Sequence, residues 1–133
     1  MKANELMIGD FFLYNGNVVE IVSIDGGTET VWIDSEKISA LRKVDDLQPI
    51  LLTSKILEKN GFVKAPMVSD TPPYDKDEEG NMHFSLNESF WGWWQPNNTF
   101  LIPANGLGWL ELKYVHEIQH ALNLCRIEKE IEL

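Results

Sequence analysis

Asp10-Phe11-Phe12-Leu13-Tyr14-Asn15-Gly16-Asn17-Val18-Val19-Glu20-Ile21-Val22-Ser23-Ile24-Asp25 sets how the chain begins to fold. Phe11 to Tyr14 and Val18 to Ile24 are rich in β-branched and aromatic residues. Asn15-Gly16 between them is the pair that accepts positive φ in a type I′ turn, so the stretch predicts a β-hairpin. Asp25-Gly26-Gly27 supplies the next turn, and Glu29 to Ile33 alternates around Val31 and Ile33 as a third strand. Ile38 to Leu41 and Leu47 to Leu52 extend the series, with Pro49 confining the last of them to a sheet edge. So many short antiparallel strands in so little chain imply a small, strongly bent barrel of the Src-homology-3-like sort.

Farther along, Thr53 caps a short helix, Ser54 to Lys59, closed by Asn60-Gly61. Pro66 to Gly80 is polar, with three prolines and five acids, and reads as a mobile excursion because strand-like residues resume after it. Those strands are Met82 to Leu86, Phe90 to Trp94, Phe100 to Ile102 and Trp109 to Leu112. A helix over Leu112 to Cys125 follows, then an alternating, strand-like tail from Arg126 to Leu133. The expected fold class is α+β. Residues 1–52 make a small antiparallel barrel, and 53–133 a helix plus a second antiparallel sheet closed by the C-terminal helix and strand. The two parts are short enough to form one continuous domain.

At 133 residues and 44% hydrophobic content the chain can bury a core and is not a disordered type. Eleven basic residues against 21 acidic ones give a net charge of −10, which repels phosphate backbones and disfavours nucleic-acid binding. Met1-Lys2-Ala3-Asn4-Glu5 lacks the apolar stretch of a signal peptide, and no apolar run approaches a membrane span. Cys125 is the single cysteine. It sits on the predicted apolar stripe of the last helix and is expected to be a small buried hydrophobe. Together these features predict a cytoplasmic protein without membrane contact.

His116-Glu117-Ile118-Gln119-His120 is the one string that names a reaction. Two histidines four residues apart share a helix face and can ligate Zn²⁺, with the intervening Glu117 deprotonating a metal-bound water. The surrounding residues weigh against it. Val115, Ile118, Leu122 and Cys125 define a core-facing stripe, which places His116 and His120 on the solvated side. The positions that continue the long zinc-peptidase motif are occupied by Asn123 and Arg126, so a third ligand would have to be His83 or an acid from upstream. The favoured expectation is therefore no metal, no cofactor and no catalytic residue. The alternative is a minimal zinc hydrolase using His116, His120 and Glu117.

Two further stretches stand out. Asp75, Asp77, Glu79 and Gly80 match the first half of a calcium loop, but Leu86 falls where the bidentate acid is needed, so a solvated turn is the better account. Phe90-Trp91-Gly92-Trp93-Trp94 alternates so that Trp91 and Trp93 face one way and Phe90 and Trp94 the other. These four aromatics either fill the core or, exposed beside Asn and Gln, stack on a sugar ring or a base or anchor a partner protein, the last leading among the functional readings.

Asn4-Glu5-Leu6-Met7-Ile8-Gly9-Asp10, Lys59-Asn60-Gly61-Phe62 and Lys113-Tyr114-Val115-His116 with Gln119 together resemble a family of short proteins from gut-bacterial genomes and their prophages or mobile elements. The resemblance spans nearly the whole chain. It implies that His116 belongs to the family pattern while His120 is incidental, and it brings no activity with it. The expected function is a non-enzymatic protein-interaction or accessory module of phage or mobile-element origin. Its contact surface is placed at Phe90, Trp91, Trp93 and Trp94 with the acidic loop after Pro73. The partner protein and the oligomeric state are left open.

Overall fold

The computed structural model describes residues 1–104 and 108–133. It is α+β, with two antiparallel five-stranded sheets and a C-terminal helix. Two compact units form: Met1–Ile50 with Tyr114–His120, and Leu51–Lys113 with Ala121–Leu133.

In the first unit, strands β1 (Phe11–Tyr14), β2 (Asn17–Asp25), β3 (Thr30–Asp34) and β4 (Ser39–Lys43) form a meander. A 3-10 turn at Val44–Asp46 then leads into β5 (Gln48–Pro49). The predicted hairpin is present: Asn15 and Gly16 have φ of 47° and 78°, the two positive values a type I′ turn needs. The strand order is β4-β3-β2-β1-β5, leaving β4 and β5 as edges, and Pro49 sits on one of them as its missing N–H requires. A register shift between Ile21 and Ser23 bends the β2–β3 pair. The core gathers Phe12, Val19, Ile21, Val31 and Ile33 from the strands, with Ala3, Leu6, Val44 and Leu47.

The second unit opens with α1 (Ser54–Lys59). Thr53 accepts from Ile56 N as its N-cap, and Gly61, at φ 87°, ends it in the left-handed region. Phe62 N donates to Leu57 O and Gly61 N to Glu58 O, the paired bonds of a Schellman motif. Strands β6 (Val63–Lys64), β7 (Met82–Asn87), β8 (Phe90–Trp94), β9 (Phe100–Ala104) and β10 (Gly108–Leu112) make a sheet ordered β10-β9-β8-β7-β6. Its inner face buries Phe84, Phe90, Trp94, Phe100 and Ile102. Phe62 packs edge-on against Phe90 and Phe100 at 5.9 and 5.8 Å between centroids. The excursion before β7 is tied by Lys64 to Asp75 (3.1 Å) and by Asp77, whose carboxylate accepts from Glu79 N, Asn81 N and Asn81 Nδ2.

Helix α2 (Val115–Leu124) contributes to both units, and Val115, Ile118, Ala121 and Leu122 are buried as its periodicity predicts. Two expectations near the C-terminus are overturned. The tail from Arg126 forms no strand; Ile131 is buried, but Glu132 takes both backbone hydrogen bonds from the Asn60 side chain instead of a ladder. Cys125 is exposed, because the helix ends at Leu124 and Arg126, at φ 57°, turns the chain.

Candidate functional site

The outer face of the second sheet gathers His83 and three tryptophans, Trp91, Trp93 and Trp109. Cross-strand partners share a face, so the registers Val63↔Ser85↔Trp91 and His83↔Trp93↔Leu101 place all six side chains there. Pairing of Leu101 with Glu111 and of Pro103 with Trp109 carries the face on to β10. His83 stacks on Trp91 at 5.4 Å and meets Trp93 edge-on at 5.0 Å, while Trp91 meets Trp109 edge-on at 6.0 Å. Trp91 and Trp93 are half-buried by these contacts, and Trp109 is 51% exposed. A shallow concavity of about 410 Å³ adjoins the row, lined by His83, Ser85, Asn87, Glu88 and Trp91.

This geometry divides the predicted aromatic surface. Trp91 and Trp93 face outward, whereas Phe90 and Trp94 are only 2% and 6% exposed and belong to the core. The alternation along β8 dictates the split, since the opposite face must close over Phe100 and Ile102. Gly92 between the tryptophans is required: a Cβ there would lie 2.5 Å from Leu101 O. Nothing in the sequence marks His83, Trp109 and Val63 as partners of the tryptophans, because only the strand registers bring them together. In the acidic loop the Lys64 hydrogen bond holds the Asp75 carboxyl below the usual carboxylate range, and Lys64 pairs with buried Phe84, on the face opposite the tryptophans.

The histidines of the H-E-I-Q-H string are not on a solvated side. Gln119 anchors their helix face to the segment before β1: its Nε2 donates to Gly9 O and its Oε1 accepts from Phe11 N, both at 2.9 Å. His116, 9% exposed, stacks on Phe12 at 4.7 Å and lies parallel to Tyr114 at 5.8 Å. His120 Nε2 is 2.7 Å from Oδ2 of Asp10, a carboxylate only 2% exposed that also accepts from Met7 N. The expectation of solvated histidines fails because α2 buries this second face as well as its apolar stripe.

The cluster docks α2 on the segment before β1. His120 is already engaged by Asp10, and Glu117 accepts from Tyr114 N at the helix start, as a capping residue does. His83 stacks among tryptophans of the other unit. Among the described residues no three His, Cys, Asp or Glu side chains converge to hold a metal. Among the described residues His116 Nδ1 is buried without a hydrogen-bond partner. Burial lowers the His116 pKa from its ordinary value, against the opposing pull of Asp10 and Glu117, so the imidazole is neutral at pH 7. A concavity of about 510 Å³ beside it is lined by Glu5, Asp45, Tyr114 and Glu117, with Met1, Val44, Leu47 and Pro49.

No protein-family model, curated protein or solved structure matches the chain.

Proposed function

We propose that the chain is a non-enzymatic interaction module of the cytoplasm, an accessory protein of a phage or mobile element. Its protein partner docks on the outer face of the second sheet. The observation that carries this reading is the row His83, Trp91, Trp93 and Trp109, large aromatic surface left on the solvent side of a sheet whose core is already filled. Rigid tryptophans of this kind supply most of the energy of protein interfaces. The net charge of −10 favours a partner with basic groups over nucleic acid. No helix among the described residues is long and apolar enough to cross a membrane, which is consistent with the placement.

The first unit we read as the scaffold, a small barrel of the Src-homology-3-like kind. A four-strand meander, a 3-10 turn before β5 and the return of β5 antiparallel to β1 support that reading.

Trp91→Ala/Trp93→Ala protein should keep its circular dichroism spectrum and lose capture of any partner recovered by the wild type in pull-down. Undiminished capture by a folded double variant would remove the aromatic face from the reading.

A further inference from the structure

We infer that strand β10 is a pairing edge that takes an extended, basic peptide segment as a sixth strand of the second sheet. The inference rests on the interaction-module reading and names the chemistry of the partner.

Each sheet edge presents a row of backbone N–H and C=O groups, and proteins blunt such edges with short strands, proline, bulges or charged side chains, lysine above all. Among the described residues three of the four edges are treated in this way. Strand β4 carries Arg42 and Lys43; β5 is two residues long and includes Pro49; β6 is two residues long and includes Lys64. Strand β10 has no proline and no basic side chain, and its single charge is the acidic Glu111. It pairs with β9 over five residues without a register shift, and beyond Gly108, at φ 86°, its outward amides and carbonyls follow the antiparallel alternation. Gly108, Trp109, Leu110 and Glu111 are all exposed, with one large apolar side chain on each face. Glu111, its only charge, is held by Thr99 Oγ1 at 2.9 Å and Asn97 Nδ2 at 3.2 Å.

The occupant follows from charge and continuity. A strand added beside β10 gains main-chain hydrogen bonds, and its alternate side chains fall next to Trp109 at the end of the aromatic row. Glu88 and Glu111 lie on or beside that row, and the molecule carries −10, so the entering segment is basic. A second copy of the chain would bring another −10 to the same edge and is disfavoured for that reason.

The test uses the intact protein and short synthetic peptides. One alternates lysine and valine, a second replaces lysine by glutamate, and a third is the lysine peptide N-methylated at every backbone amide. The lysine peptide should bind and slow hydrogen exchange of β10 amides, without protecting β4. Methylation should weaken it by about tenfold or more, since it removes the main-chain donors and keeps the charge. Equal binding of the methylated or the glutamate peptide, or unprotected β10 amides, would overturn the inference. So would β10 protection in the free protein that disappears on dilution, because a second copy then fills the edge. Repeating the exchange measurement on Trp91→Ala/Trp93→Ala protein separates the two proposals. Protection that persists there keeps the edge inference even when partner capture does not depend on the tryptophans.

Discussion

Asn60 and Glu132 pair as neighbouring strands would, with a side chain standing in for one of them. Asn60 Nδ2 donates to Glu132 O and Glu132 N donates to Asn60 Oδ1, both at 2.7 Å. The same amide nitrogen reaches Ile56 O at 2.8 Å, and the residue is 1% exposed. Gln119 does the equivalent for Gly9 and Phe11 in the first unit. In both places a carboxamide, which carries a donor and an acceptor side by side, satisfies backbone that no ladder reaches.

Asn60→Ala should therefore be costly. It removes three hydrogen bonds, two of them to the part-buried backbone of Glu132, a loss on the order of 1–3 kcal/mol in urea unfolding. Asn60→Asp keeps the shape but sets a carboxylate against two carbonyl oxygens. At neutral pH it should destabilise at least as much as the alanine.

Gly92 gives a second test. Its missing Cβ would sit 2.5 Å from Leu101 O and 2.9 Å from both Ile102 Cγ2 and Phe100 Cε1, so Gly92→Ala forces β8 away from β9. A loss of roughly 2–4 kcal/mol is expected from overpacking on this backbone. At Gly26 an added Cβ meets nothing within 4 Å, and Gly26→Ala should change stability by less than about 0.5 kcal/mol.

The division of the aromatic cluster predicts opposite outcomes along one strand. Phe90→Ala and Trp94→Ala empty core volume and should cost about 3–5 kcal/mol. Trp91→Ala and Trp93→Ala remove rings on the partly exposed outer face and should cost on the order of 1 kcal/mol each. Thermal melts of the four variants decide whether the two faces are assigned correctly.

Much of this was legible in the sequence because it is local. Asn15-Gly16, Thr53 and Asn60-Gly61 act through their own backbone, and the alternation of β8 sets its faces without outside help. The rest depends on partners distant in the chain. His116 and His120 occupy the polar side of α2 by periodicity, and only the docking of Gln119 on the segment before β1 shows that this side is covered. Trp109 joins Trp91 through two strand registers, neither of which has a signature in the residues themselves. The tail alternates like a strand, yet its hydrogen bonds go to a side chain 72 residues away.

His116 makes the fold acid-sensitive. Burial lowers its pKa, so the folded protein resists taking up a proton that the unfolded chain accepts near pH 6.5. A group depressed in this way contributes stability that is present above its unfolded pKa and is lost as pH falls toward the folded one. Urea midpoints of the wild type should decline as pH drops from 7 toward 5, beyond any contribution from carboxylates. His116→Phe protein should show a shallower decline over the same window. Parallel curves would mean that the buried imidazole does not carry the effect.

Asp10 and His120 supply the last prediction, because their contact joins α2 to the residue that precedes β1. The carboxylate is buried and accepts from both Met7 N and His120 Nε2, so removing either side chain changes what the other is worth. Asp10→Ala should cost more than His120→Ala. It strands Met7 N as well as the imidazole, whereas His120 is partly exposed and water can replace it at the carboxylate. In a double-mutant cycle the two losses should fall short of additivity by about 1–2 kcal/mol, the coupling expected of a hydrogen bond to a charged group. Additive losses would show that Asp10 acts only through Met7, and that helix α2 is held to this segment by Gln119 and the His116–Phe12 stack alone.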